Sequence, residues 1–68
     1  YYERAISKAA MGRYPEAIQD FDIAIEHVKN KPFFYYERGR SHQALGNSTA
    51  AQRDFDTAKS MGFTPPAN

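Results

Sequence analysis

The stretch Tyr35-Tyr36-Glu37-Arg38 repeats Tyr1-Tyr2-Glu3-Arg4 letter for letter, half a chain later. Working outward from that pair, a shift of 34 positions lays the 68-residue sequence on itself with thirteen identical pairs. Beyond the opening four, the matches are Ser7/Ser41, Ala10/Ala44, Gly12/Gly46, Ala17/Ala51, Asp20/Asp54, Phe21/Phe55, Asp22/Asp56, Ala24/Ala58 and Pro32/Pro66. Average amino-acid usage would give about two matches by chance. Self-similarity at a fixed period of this size is the signature of a repeat architecture, in which each unit leans on its neighbour to cover its apolar face.

Each unit reads as two helices. Gly12 and Gly46 interrupt the pattern where a helix would end on a left-handed residue. Pro15 then suits a first helical turn, where its missing N–H costs nothing. In the second unit Asn47 or Ser48 is expected to cap the next helix through its side-chain oxygen. Ala17, Ile18, Phe21, Ala24, Ile25 and Val28 follow at helical spacing and form an apolar stripe, which Ala51, Phe55 and Ala58 repeat in outline. Asn30-Lys31-Pro32 and Gly62-Phe63-Thr64-Pro65-Pro66 punctuate the unit ends. The expected protein is all-α, with four antiparallel helices. Residues 1–31 form the first unit, with helices over 1–11 and 15–28. Residues 32–68 form the second, with helices over 32–45 and 48–61 and a tail over 62–68. Small residues at Ala5/Gly39, Ala10/Ala44, Ala17/Ala51 and Ala24/Ala58 would let helices approach closely, while Tyr1/Tyr35 and Phe21/Phe55 fill the space around them.

Composition narrows the function. Nine Lys and Arg against eight Asp and Glu leave a net charge of +1, with no basic block to suggest nucleic acid. No apolar run approaches the roughly 20 residues of a membrane span. The chain has no cysteine, so neither a disulfide nor a thiolate metal site is available. A soluble, intracellular and cytoplasmic protein is expected. A chain of this size buries only about 60% of its unfolded surface, so its core is marginal.

The ordered pattern carries a family resemblance. The second unit reads Tyr35-x-x-Arg38-Gly39, Ala44-Leu45-Gly46, then Ala51-x-x-Asp54-Phe55-x-x-Ala58. The first reads Tyr1-x-x-Arg4-Ala5, Met11-Gly12-Arg13-Tyr14, Ala17-Ile18, Asp20-Phe21, Ala24-Ile25. Both resemble tetratricopeptide repeats, of the variety with Arg where the family more often has Leu, and together they cover essentially the whole chain. Five positions depart from the family pattern. Lys29 and Phe63 stand where a Pro usually follows the second helix, and Ser48 replaces the aromatic that Tyr14 supplies. Gln52 and Lys59 stand where the first unit has Ile18 and Ile25.

The resemblance implies an α-solenoid, two helix-turn-helix hairpins stacked in a right-handed superhelix. The first helix of each would line a concave groove for a peptide or protein ligand. The family's groove positions fall on Tyr2, Ile6, Ala9 and Ala10, and on Phe33, Tyr36, Arg40, Gln43 and Ala44. The helical spacing of these residues is compatible with one face on each helix. The alternative for Tyr2 and Tyr36 is packing between the repeats, since an amphipathic ring suits both roles. Members of the family that bind chaperone C-terminal peptides hold the terminal carboxylate with Lys and Asn. The matching places here are Tyr2, Ile6 and Glu37, so that ligand is not expected.

Arg4 and Arg38 recur with Asp20 and Asp54, which predicts an ion pair inside each hairpin, Arg4–Asp20 and Arg38–Asp54. Nothing points to catalysis. Ser7 and Ser41 lack a matched His and carboxylate. Asp20/Asp22 and Asp54/Asp56 lie on different faces of their helices and cannot share a proton. His27 and His42 are two ligands at most, a poor metal site. No cofactor is expected, and no phosphate cradle is formed by the isolated glycines.

Solenoids usually need three or more repeats and a polar cap. With two repeats, Phe55, Met61 and Phe63 are expected to be underused in a monomer. The repeat phase would let one copy follow another in register. The rival function is therefore a structural segment that stacks or swaps with other copies or with adjoining repeats of a longer array, and binds no separate ligand.

Overall fold

The computed structural model describes residues 2–63. It is all-helical: α1 spans Tyr2–Ala10, α2 Tyr14–His27, α3 Pro32–Ala44 and α4 Ser48–Ser60. The expected start of the first helix at Tyr1, the packing role given to that ring and the tail beyond Phe63 lie outside the described residues.

The two glycines end their helices as their chemistry requires. Gly12 and Gly46 take φ values of +80° and +82°, the left-handed region that only glycine enters freely. Arg13 N–H then reaches Lys8 C=O at 2.8 Å and Gly12 N–H reaches Ala9 C=O at 3.0 Å. Asn47 N–H to His42 C=O at 2.9 Å and Gly46 N–H to Gln43 C=O at 3.0 Å repeat the arrangement in the second unit. These paired bonds satisfy carbonyls that the helix leaves open. Helix α2 ends differently, on an extended Val28 with no glycine. Pro15 sits in the first turn of α2 and Pro32 opens α3. Asn47 does occupy the N-cap position of α4, yet its side chain makes no capping bond, which corrects the sequence expectation. Its backbone is already used, with the N–H closing α3 and the C=O accepting from Ala51.

Each helix packs on its neighbours in the chain. Among the described residues, helix α2 meets α1 and α3, α4 meets only α3, and α1 also touches α3. The order of the ion pairs shows α1 and α2 running antiparallel: Arg4 meets Asp20, while Lys8, a turn further along, reaches back to Glu16. The core is built from small residues around rings. Ala5, Ala17, Ala24, Ala51 and Ala58 are buried, and Phe21 has no exposed surface. Gly39 takes the place of Ala5 in the second hairpin, and a Cβ there would lie 2.8 Å from the Phe55 ring and 3.2 Å from the Ala51 carbonyl. Ala10 and Ala44 behave otherwise than expected. Both are exposed rather than wedged between helices.

An aromatic band joins the two hairpins. Tyr2 stacks on Phe34 at 4.6 Å between centroids and meets Phe33 edge-on at 5.8 Å. Tyr36 continues the band to Phe55 at 5.5 Å and to Phe63 at 4.9 Å. Phe55 and Phe63 are thus employed within one chain, against the expectation that they would be idle, because the chain after α4 turns back at Gly62 and lays Phe63 over α3. Met61 does remain exposed.

Candidate functional site

The proposed groove residues divide into two groups. Ile6, Ala9, Arg40 and Gln43, with Ala10 and Ala44, line a cleft of about 540 Å³ between α1 and α3. Tyr14, Glu37 and Ser41 complete its walls. Tyr2, Phe33 and Tyr36 do not line that cleft but belong to the aromatic band, where Tyr2 and Tyr36 are half-buried. Their structural position is the inter-repeat packing alternative.

The cleft follows from residue size. Successive alanines at Ala9 and Ala10 on α1 and Ala44 on α3 leave a space that larger side chains would fill. Ile6 gives that space an apolar wall, and Arg40 and Gln43 supply donors at its mouth. Arg40 lies 3.7 Å from Glu37, so the site carries both signs of charge. Glu37 also acts on the neighbouring Tyr2. Burial first, and then the Glu37 carboxylate, raise the Tyr2 hydroxyl above its ordinary value of 10.0, which keeps it protonated. Tyr14 and Ser41 were not among the expected groove residues. Tyr14 lies at the start of a second helix rather than on a first one, and Ser41 is buried.

Two buried carboxylates, Asp20 and Asp54, hold the hairpins. Arg4 donates to Asp20 from Nε at 3.1 Å and from Nη2 at 3.0 Å, and Lys8 approaches the same carboxylate at 3.1 Å. These partners hold the Asp20 carboxyl down to about 2: the Arg4 hydrogen bonds act most, and Lys8 adds to them against the effect of burial. In the second hairpin Arg38 forks onto Asp54 at 2.9 and 2.7 Å. Its Nη1 reaches across to Asp22 of α2 at 2.7 Å. Arg38 is therefore a three-way tie, and its two carboxylates raise its pKa. Its guanidinium carbon also lies 5.6 Å from the Tyr35 ring centre.

His42 takes the place of Lys8. Its Nε2 is 3.9 Å from Asp54, and its Nδ1 is buried with no hydrogen-bond partner among the described residues. Lys8 and Asp22 were absent from the predicted pairs. Lys8 changes type between units, which hides it. Asp22 does recur as Asp56, but its partner lies in the next hairpin.

Among the described residues no three His, Cys, Asp or Glu side chains converge as a metal site, and no helix is long and apolar enough to cross a membrane. Comparison with family models, with curated proteins and with solved structures finds no match to this chain.

Proposed function

We propose that the chain is a protein-interaction module of the tetratricopeptide type, its two hairpins stacked in a right-handed solenoid, with the α1/α3 cleft receiving a segment of a partner protein. The observation that carries this reading is the cleft itself. The first helices of the two hairpins face each other across it with small residues on its walls, and Arg40 and Gln43 stand at its rim. The lining mixes Ile6 and three alanines with Tyr14, Glu37, Arg40, Ser41 and Gln43, and a few placed polar groups are what fix a ligand's orientation in a binding site. The sequential packing of the helices suits a solenoid, where each unit contacts only its neighbours. No enzymatic role is assigned, and the partner is a protein or peptide rather than nucleic acid.

Glu37 at the cleft wall disfavours a terminal carboxylate, so chaperone C-terminal peptides are not the ligand. The test begins with peptides selected on the wild-type chain from a displayed library, their affinities then measured by calorimetry. Ala10→Trp fills the cleft and Arg40→Glu reverses the charge at its rim, both at exposed positions. Each should weaken binding by at least about tenfold while the helical circular-dichroism spectrum stays unchanged. Selected peptides that bind both variants as tightly as wild type would refute the assignment.

A further inference from the structure

Two opposite charges line the cleft, and their mutual bond is left open. Arg40 Nη1 lies 3.7 Å from Glu37 Oε1, beyond the roughly 2.7–2.9 Å of a charge-assisted hydrogen bond. Arg38, on the same helix, closes on Asp54 at 2.7 Å. Among the described residues neither Glu37 nor Arg40 has another ion-pair partner. A carboxylate can accept several hydrogen bonds and a guanidinium can donate several, so each has room for a partner of its own. The two residues stand at i and i+3, side by side on α3, with Ile6 and Ala9 of α1 across the cleft. The Glu37 side chain is 14% exposed and that of Arg40 62%. The carboxylate is therefore the sheltered charge and the guanidinium the open one.

We propose that the segment received by the cleft carries a basic and an acidic side chain close together, the basic one set on Glu37 and the acidic one on Arg40. This rests on the cleft being the ligand site. Charge complementarity selects the occupant. A segment with one charge alone meets an attraction at one of these residues and a repulsion at its neighbour. A segment with both charges in the matching order meets two attractions, and in the opposite order two repulsions. The two contacts differ in strength, because water and salt screen an exposed charge more than a sheltered one. The basic side chain anchors the segment on Glu37, and the acidic one sets its direction through Arg40.

The probe is the set of peptides selected on the wild-type chain from a displayed random library. They should be enriched in Lys or Arg closely spaced with Asp or Glu. One such peptide is then remade with its basic residue, and separately its acidic residue, changed to Gln. Calorimetry measures each form against wild type, Glu37→Gln and Arg40→Gln. Losing the basic residue should weaken binding to wild type by about tenfold and cost little more on Glu37→Gln. Losing the acidic residue should cost less, should be masked by Arg40→Gln, and should fade at high salt. Losses that simply add in both cycles overturn the proposal. Circular dichroism checks that the variants fold. Should Glu37→Gln lose its helical signal, the peptide changes on the wild-type chain decide, and no loss on removing the basic residue overturns the proposal. Peptides without paired charges that nevertheless fail to bind Ala10→Trp overturn it too, while the cleft stands as the ligand site. Peptides indifferent to Ala10→Trp, or a library that yields none, overturn both.

Discussion

At Gly39 the helices of the second hairpin come within reach of each other's backbone. A methyl group there would meet the Phe55 ring at 2.8 Å and the Ala51 carbonyl at 3.2 Å. Alanine would gain up to about 1 kcal/mol of helix propensity over glycine. Overpacking a filled core costs about 1–3 kcal/mol, and a backbone carbonyl cannot turn aside as a side chain can. Gly39→Ala should therefore lower stability despite its better propensity, read as a lower urea midpoint; a raised midpoint would show that the ring gives way freely. Asp20 supports a second prediction. Its carboxyl is held at about 2 in the folded chain against an ordinary 3.8, so the unfolded state binds more protons between those values. The stabilisation is complete above the ordinary value and disappears as pH falls through the folded one. The urea midpoint should drop over that acid range, and Asp20→Asn should flatten the drop; wild type and variant falling in parallel would disprove the link. The Arg–Asp pairings were legible because both members recur 34 residues on. Lys8 was not, because His42 replaces it, and the bridge to Asp22 was hidden because recurrence identifies like positions but does not say which of them meet across hairpins.

At the scale of the element, helix ends explain why the boundaries could be read so closely. Glycine has one dominant use after a helix, and Gly12 and Gly46 both serve it with positive φ. Gly46→Ala forces a side chain into that region at a cost of about 1–2 kcal/mol. Among the described residues nothing lies within 4 Å of the site to add a clash, so the loss should fall in that range by urea denaturation; no change in midpoint would mean that the turn reorganises. Capping was less readable. Asn47 sits at the expected N-cap, but side-chain chemistry alone does not reveal that its oxygen goes unused there. The cleft was half legible. Helical spacing gave the faces of α1 and α3, and Ile6, Ala9, Arg40 and Gln43 do meet. Spacing could not tell that the rings at the start of those helices turn into an inter-hairpin band, because a tyrosine at a helix surface suits either use.

For the whole molecule the second hairpin is a condition of the first. The Cα radius of gyration of 10.9 Å matches the roughly 11 Å expected of a compact domain of this length. Yet the only fully buried large apolar side chain is Phe21, among the described residues. Ion pairs inside each hairpin are joined by contacts that cross between hairpins. Arg38 ties α3 to α2, and Tyr2 stacks on Phe34. Small domains with such cores unfold as single units. Native-state hydrogen exchange on the full chain measures this most directly. The slowest amides of α2 and α3 should open with one shared free energy, equal to that of global unfolding by urea. Amides of the α1/α2 hairpin opening separately from those of α3/α4, each pair with its own free energy, would show two independent hairpins and contradict the account.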